Sequence, residues 1–110
     1  MAKIERTLDG DFFSVAARLH SAILSASFSA SFEDESSFSI GKTHLLVRVY
    51  ERYSAFGGNR VSLTLTLLSD GNEIHLSGIT SGGSQAMFFK INTVGEEAFL
   101  ETLERAVNKL

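Results

Sequence analysis

One segment, residues 60 to 92, alternates apolar and polar residues more regularly than any other part of the chain. Its first half is typical of a strand that buries one face. An Asp-Gly pair at 70–71 follows, and this pair suits the two central positions of a type I′ hairpin turn. The apolar residues of the strand are Val61, Leu63, Leu65 and Leu67, and the polar ones are Ser62, Thr64 and Thr66.

The turn predicts how this strand pairs with the next one. With Asp70 and Gly71 as central residues, Ser69 lies opposite Asn72. One face of the hairpin is then apolar and the other polar, as an antiparallel sheet with one solvated side requires. The apolar pairs are Leu67 with Ile74, Leu65 with Leu76 and Leu63 with Gly78, and the polar pairs are Thr66 with His75 and Thr64 with Ser77.

Two segments repeat apolar residues every three or four positions, which predicts amphipathic helices. The first runs from Phe12 to Ala26, after a turn, Leu8-Asp9-Gly10-Asp11, that offers Asp9 and Asp11 as two possible N-caps. The second begins at the capping-box sequence Thr93-Val94-Gly95-Glu96 and continues to Leu110. Each helix has a single apolar stripe and can therefore cover one face of a sheet.

The other predicted strands follow from period-two patterns. An acidic and serine-rich segment, 33–37, is interpreted as a polar turn, after which Phe38 and Ile40 can form a brief continuation of the strand. The element order is β-α-β-β-β-β-β-α in one domain of residues 1–110. We therefore predict an α+β fold of two layers, a meander sheet of about five antiparallel strands with both helices on one face. The additional strands are predicted at 2–8, 27–32, 43–53 and 87–91.

Composition excludes several classes of function. The 110 residues are 44% apolar and 21% charged, as in ordinary soluble domains. The chain has no cysteine, which excludes a disulfide framework, a thiolate metal site and a cysteine nucleophile. The net charge of −3 disfavours nucleic acid and anionic membranes as partners. We expect a cytoplasmic protein without a cofactor or a metal.

The strand at 43–53 can present either of two alternating rows to the helices. If Val47 and Val49 face the helices, then Arg48, Tyr50 and Arg52 lie on the outer face. A tyrosine between two arginines suits a solvated surface, a self-association or partner surface, or a ligand site. This choice would also turn Glu51 inward, unless the strand end lies beyond the core. The outer face would include Arg48, Tyr50, Arg52, Ser62, Thr64, Thr66, His75 and Ser77.

A glycine-rich loop, Ser81-Gly82-Gly83-Ser84, is the second candidate site. Backbone amides of such loops can bind phosphate when a helix and a lysine follow. A strand is predicted to follow here, so a hairpin connection is the simpler interpretation. The candidate binding residues are Arg48, Tyr50, Arg52, Thr64, Thr66, His75, Gly82, Gly83 and Ser84; no catalytic residue is predicted.

The segments 47–67 and 79–100 resemble a group of small bacterial proteins that are classed as a domain of unknown function. Their sequences here are VRVYERYSAFGGNRVSLTLTL and ITSGGSQAMFFKINTVGEEAFL. The resemblance extends over the full length. It implies a bacterial cytosolic protein and supplies no catalytic residue. The element layout is also similar to helix-grip folds, in which a curved sheet encloses a long C-terminal helix around an apolar pocket.

Three hypotheses for function follow. The first is a non-enzymatic interaction module that forms a homodimer or binds a protein partner through the open sheet face. The second is a carrier of a small apolar ligand, with space left on the inner face by Gly78. The third, an enzyme that uses the loop at 81–85, has the least support because no nucleophile–base pair can be named.

Overall fold

The computed structural model describes the backbone of residues 1–53, 59–82 and 89–110. It also describes the side chains of these residues, except those of 89–94. Five strands and two helices form an α+β fold in the order β-α-β-β-β-β-α, which confirms the predicted fold class with one strand fewer than the predicted order. The elements are β1 (Ala2–Asp9), α1 (Phe12–Ser25), β2 (Ser31–Ile40), β3 (Thr43–Tyr53), β4 (Arg60–Asp70), β5 (Glu73–Gly82) and α2 (Phe89–Asn108).

The five strands form one antiparallel sheet in the order β1-β5-β4-β3-β2. Strands β2 to β5 follow one another as hairpins, and β1 pairs with β5 at the far edge. Since β1 and β2 form opposite edges, α1 carries the chain from one edge of the sheet to the other. The middle strand is β4, the segment with the clearest alternation.

The β4–β5 turn differs from the predicted one. Asp70 pairs with Glu73, so Gly71 and Asn72 are the central residues. Gly71 has a φ of +84°, while no residue other than glycine has a positive φ among the described residues. A type I′ turn needs positive φ at both central residues, whereas a glycine in the first position alone matches type II′.

This turn shifts the register by two residues, and the predicted cross-strand pairs are therefore wrong. Leu67 lies opposite Leu76, Leu65 opposite Gly78 and Thr66 opposite Ser77. A shift of two leaves every side chain on its original face, because the side-chain period of a strand is two. The predicted separation of an apolar face from a polar face survives within this hairpin.

Strand β2 begins later and ends later than predicted. Residues 27–30 form a turn, whereas the acidic segment 33–37 lies within the strand. A β-bulge at Glu33 interrupts the pairing between Phe32 and Asp34. Charged residues and a bulge are common on edge strands because they oppose pairing with other chains. The period-two pattern alone did not distinguish this edge strand from a polar turn.

Helix α2 begins at Phe89, so the strand predicted at 87–91 is wrong for residues 89–91; residues 87 and 88 lie outside the described part. The predicted capping box at 93–96 falls inside the helix. The buried Glu96 carboxylate instead accepts hydrogen bonds from the Met1 ammonium and the Gly82 amide, each at 2.6 Å. A short apolar run is compatible with a strand and with a helix, so the sequence alone did not identify the helix. Glu96 makes its contacts with Met1 and Gly82 from within this helix.

Both helices pack on the same face of the sheet and form one apolar core with it. Asp11, one of the two predicted N-cap candidates, caps α1 by accepting a hydrogen bond from the Ser14 amide at 2.9 Å. On α2, Leu103 lies directly over Gly78 of β5. The core residues of the helices are Phe12, Val15, Ala16, Leu19 and Ile23 of α1, and Phe99, Leu103, Ala106 and Val107 of α2.

The close approach of α2 to β5 leads to a prediction for Gly78→Ala. A Cβ at this position would lie 2.3 Å from Leu103 Cδ2, and Leu103 is fully buried. We expect the free energy of unfolding to fall by about 1–3 kcal/mol through overpacking. Urea denaturation measures this change.

The double variant Gly78→Ala/Leu103→Ala tests the cause. Leu103→Ala alone should cost about 2–5 kcal/mol, and the double variant should cost less than the two single changes together. Additive costs would contradict a direct contact. Ser77→Ala, next to Gly78 on the opposite face, is the control and should change stability little.

Candidate functional site

The sheet surface turned away from α1 and α2, which we call the open face, carries alternate residues of every strand. The strand register assigns them without ambiguity because the face of a strand alternates residue by residue. They are Lys3, Glu5, Thr7 and Asp9; Ser31, Asp34, Ser36, Phe38 and Ile40; Thr43, Leu45, Val47, Val49, Glu51 and Tyr53; Arg60, Ser62, Thr64, Thr66, Leu68 and Asp70; and Glu73, His75, Ser77, Ile79 and Ser81.

Large apolar side chains occupy much of the open face. Phe38 is 61% exposed, Leu68 42% and Ile79 37%. Leu45 lies between Phe38 and Leu68 in the cross-strand row, so the three form a continuous apolar strip. An extended apolar area on a folded chain is typical of a surface that contacts another molecule.

Charged residues lie at the two ends of the open face along the strand direction, on either side of this apolar strip. At one end, Arg60 forms ion pairs with Glu33 and Glu51. At the other end, Asp9, Asp70 and Glu73 lie next to one another across β1, β5 and β4. Glu51 is therefore a partly exposed partner of Arg60 on the open face, and it does not point toward the helices as the predicted orientation of β3 required.

Three predicted binding residues, Thr64, Thr66 and His75, lie on the open face. Thr66 and His75 line a depression of about 420 Å³ that crosses β1, β5 and β4. His75 contacts Thr7 Oγ1 at 3.4 Å through Nδ1 and Glu73 Oε1 at 3.0 Å through Nε2. The placement of these three residues agrees with the sequence, and their role in binding stays a prediction.

The three candidate binding residues of β3, Arg48, Tyr50 and Arg52, lie under the helices. Their predicted position on the open face is therefore wrong. β3 turns Leu46, Arg48, Tyr50 and Arg52 inward because they pair with the apolar row of β4. Tyr50 is fully buried opposite Leu63. Val47 and Val49, predicted to face inward, lie on the open face.

Polar contacts satisfy this inward row. The Tyr50 hydroxyl and His20 Nδ1 of α1 are 2.8 Å apart. Arg48 donates to the Ala16 carbonyl at 2.9 Å and to Glu35 at 2.6 Å. Each group thereby gains a hydrogen-bond partner from α1 or from β2, which a buried polar group requires. The four groups Glu35, Arg48, Tyr50 and His20 form a bridge between the helix and the edge strand.

Arg52 is accommodated by α2. Its guanidinium lies 4.6 Å from the centre of the Phe99 ring and donates to Thr102 Oγ1 at 3.3 Å. Arginine stacks on aromatic faces and buries its aliphatic stem readily. An arginine in an alternating strand is therefore compatible with an inward position. The sequence did not indicate this orientation, because the other row of the strand, Leu45, Val47 and Val49, is apolar.

Burial changes the acid–base properties of this inward row. Burial raises the pKa of Tyr50, and Arg48 acts in the opposite direction to a smaller extent. Burial also lowers the pKa of His20, as does the nearby Arg48 charge. The pKa of Arg52 is lowered by burial alone. In each case burial disfavours the charged form because charge is poorly solvated there.

The described part of the glycine loop already binds a carboxylate. Gly82, the last residue of β5, donates its amide to Glu96 at 2.6 Å. An amide held in this way is not directed at an external anion, so the phosphate interpretation loses support. Gly83 and Ser84 lie outside the described residues.

The described residues contain no group of three or more His, Cys, Asp or Glu side chains that could hold a metal ion. No helix in the described segments is long and apolar enough to cross a membrane.

A comparison with family models places the chain. The model of a family of unknown function matches residues 1–110. The chain belongs to DUF6054. The DUF6054 match spans both segments on which the resemblance was based, and it confirms that resemblance. Searches of curated proteins and of solved structures gave no match. The expected bacterial origin and cytoplasmic location stay predictions.

The lowered pKa of His20 predicts how stability depends on pH. The unfolded chain binds a proton at the ordinary value of about 6.5, whereas the folded chain binds it only at lower pH. The contribution is fully present above the unfolded pKa and is lost as the pH falls toward the folded pKa. We expect the urea midpoint to decrease from about pH 7.5 to about pH 5.

His20→Gln should flatten this decrease, since it removes the group that titrates. His75→Gln serves as the control because its imidazole is largely exposed. An equal pH dependence in wild type and His20→Gln would contradict the assignment to His20.

Proposed function

We propose that this DUF6054 chain is a non-enzymatic interaction module that self-associates through its open face. The observation that carries the proposal is the uncovered strip formed by Phe38, Leu45 and Leu68, with Val47, Val49 and Ile79 beside it. A solvated sheet face normally carries polar residues at these positions. Here apolar or threonine side chains occupy the centre.

The distribution of residue types agrees with an interface. Thr64 and Thr66 of the middle strand lie at the centre of the face, and ionised groups lie at its ends. Interfaces are depleted of charge at the centre and have a polar rim. The depression beside Thr66 and His75 is too open to enclose a small ligand, so a flat partner suits the surface better than a small molecule.

The size of the face matches the requirement for a stable contact. Five strands span about 24 Å and eleven residues of β4 about 36 Å, which gives a face of roughly 860 Å². A standard interface buries about 800 Å² on each partner. Two sheets stacked face to face at about 10 Å would form a sandwich core.

Charge is compatible with a second copy as the partner. The turn end of the face carries Asp9, Asp70 and Glu73, whereas Lys3 and Arg60 at the opposite end pair with carboxylates of the same chain. In a symmetric dimer with reversed strand directions, the two acidic turn ends lie apart.

The competing functions lack comparable support. The inner-face space that a carrier would need next to Gly78 is filled by Leu103. The enzyme hypothesis relied on amides of the glycine loop, and the Gly82 amide is bound to Glu96.

Thr66→Lys tests the proposal. A lysine at the centre of the face would bury an unpaired charge in the contact, so we expect the dissociation constant to increase at least about tenfold. Sedimentation equilibrium over a range of concentrations measures this change. Thr66→Val keeps the shape of the side chain and should associate as well as the wild type.

Glu97→Lys, an exposed change on α2, controls for added positive charge and should leave association unchanged. Two results would contradict the proposal: a wild-type protein that sediments as a 12.0 kDa monomer at high concentration, or equal association of Thr66→Lys and Glu97→Lys. Circular dichroism of each variant verifies that it remains folded.

A further inference from the structure

The edge strand β2 is unusually open to its surroundings. It pairs with β3 alone, and every residue from Phe32 to Ile40 is exposed. Ile40 is 83% exposed and Phe38 61%. A long edge strand with exposed apolar residues is a template for pairing with another strand, and ten residues provide enough length for it.

Two observations show which backbone groups of β2 point away from the sheet. Ile40 and Thr43 close a two-residue turn, so they form a hydrogen-bonded pair and the adjacent residue, Ser39, points its amide outward. Independently, the Glu35 amide donates to Asp34 Oδ1 at 2.8 Å rather than to β3. Backbone amides and carbonyls point alternately to the two sides of a strand. Both observations therefore identify Ser37 and Ser39 as residues whose backbone groups point away from the sheet.

The two halves of β2 differ in how they resist pairing. The first half contains the bulge at Glu33 and the acidic run 33–35, and the Asp34 side chain occupies the outward Glu35 amide. These features protect an edge. The second half, 36–40, contains no charge, proline or bulge. Pairing is therefore directed to the segment from Ser36 to Ile40.

We propose that two copies of the chain pair their β2 strands antiparallel around a two-fold axis at Phe38, forming a continuous ten-stranded sheet. This register places Ser37 opposite the partner's Ser39 in both directions, so the outward amides and carbonyls of the second half bond to one another. Glu35 keeps its intramolecular contact. The pairing is a different contact from the stacking of open faces.

Side chains support this register over its neighbours. Phe38 meets its own symmetry mate, and aromatic pairs stabilise adjacent strands. The strip Leu68–Leu45–Phe38 then continues across the axis into the second copy. Asp34 then lies near the β2–β3 turn of the other copy, which carries Lys42, so an acidic residue is close to a basic one on both sides of the axis. A register centred on Glu35 would instead place two carboxylates opposite each other.

Cysteine cross-linking tests the register, and the chain has no native cysteine that would interfere. In the proposed dimer, Ser36 of one copy lies opposite Ile40 of the other, with Cα atoms about 4.5–5.5 Å apart, within the range of a disulfide. Two Ser36 positions are separated by four residues along the strand, about 13 Å. The same separation applies to two Ile40 positions.

We expect a mixture of Ser36→Cys and Ile40→Cys chains to form disulfide dimers at least about tenfold faster under mild oxidation than either variant alone. Both positions are exposed, so each variant should remain folded, which urea denaturation checks. Cross-linking in the mixture no faster than in the single variants overturns the proposal.

The Thr66→Lys background separates this contact from the open-face contact. Cross-linking that persists with Thr66→Lys present in both chains supports an edge contact that forms without face stacking. Cross-linking that occurs only in the native background assigns the dimer to the open face and overturns edge pairing. The edge proposal can therefore hold when the face proposal fails, and the reverse also applies.

Discussion

The pairing of β3 with β4 determines the character of both surfaces of the sheet. β4 has one apolar row, which the helices must cover, and the register places Tyr50 opposite Leu63 and Arg48 opposite Leu65. The arginines and the tyrosine of β3 therefore lie under the helices, whereas Leu45, Val47 and Val49 face outward. The burial of polar groups inside and the exposure of apolar groups outside have this one cause.

Helix coverage explains why the inward polar row is tolerated. α2 packs over β5, β1 and β4, α1 packs beside α2 over β4, and the sheet extends beyond both helices toward β2. Arg48 and Tyr50 lie where this coverage ends, so Glu35 and His20 can reach them from the edge strand and from α1. A fully apolar row would expose more apolar surface beside β2.

The two proposed contacts use different physical properties of the same sheet. Stacking of open faces would remove apolar side chains from water, whereas pairing of β2 edges would satisfy backbone amides and carbonyls. They meet at Phe38, which belongs to the open face and lies on the proposed two-fold axis. A surface that combines both properties suits a protein that acts by association, and the buried contacts of Gly82 and Gly78 leave less basis for catalysis or ligand transport.

The sequence by itself determined the α+β class, the position of α1 and the apolar and polar faces of the β4–β5 hairpin, because local periodicity encodes these features. It also placed Thr64, Thr66 and His75 on the outer surface. Only the tertiary structure decided the orientation of β3, since both of its rows are compatible with burial once arginine stems and a tyrosine can find partners. The turn at Gly71-Asn72, the strand formed by the acidic segment and the early start of α2 were likewise decided by pairing and packing with distant residues, which local sequence does not report.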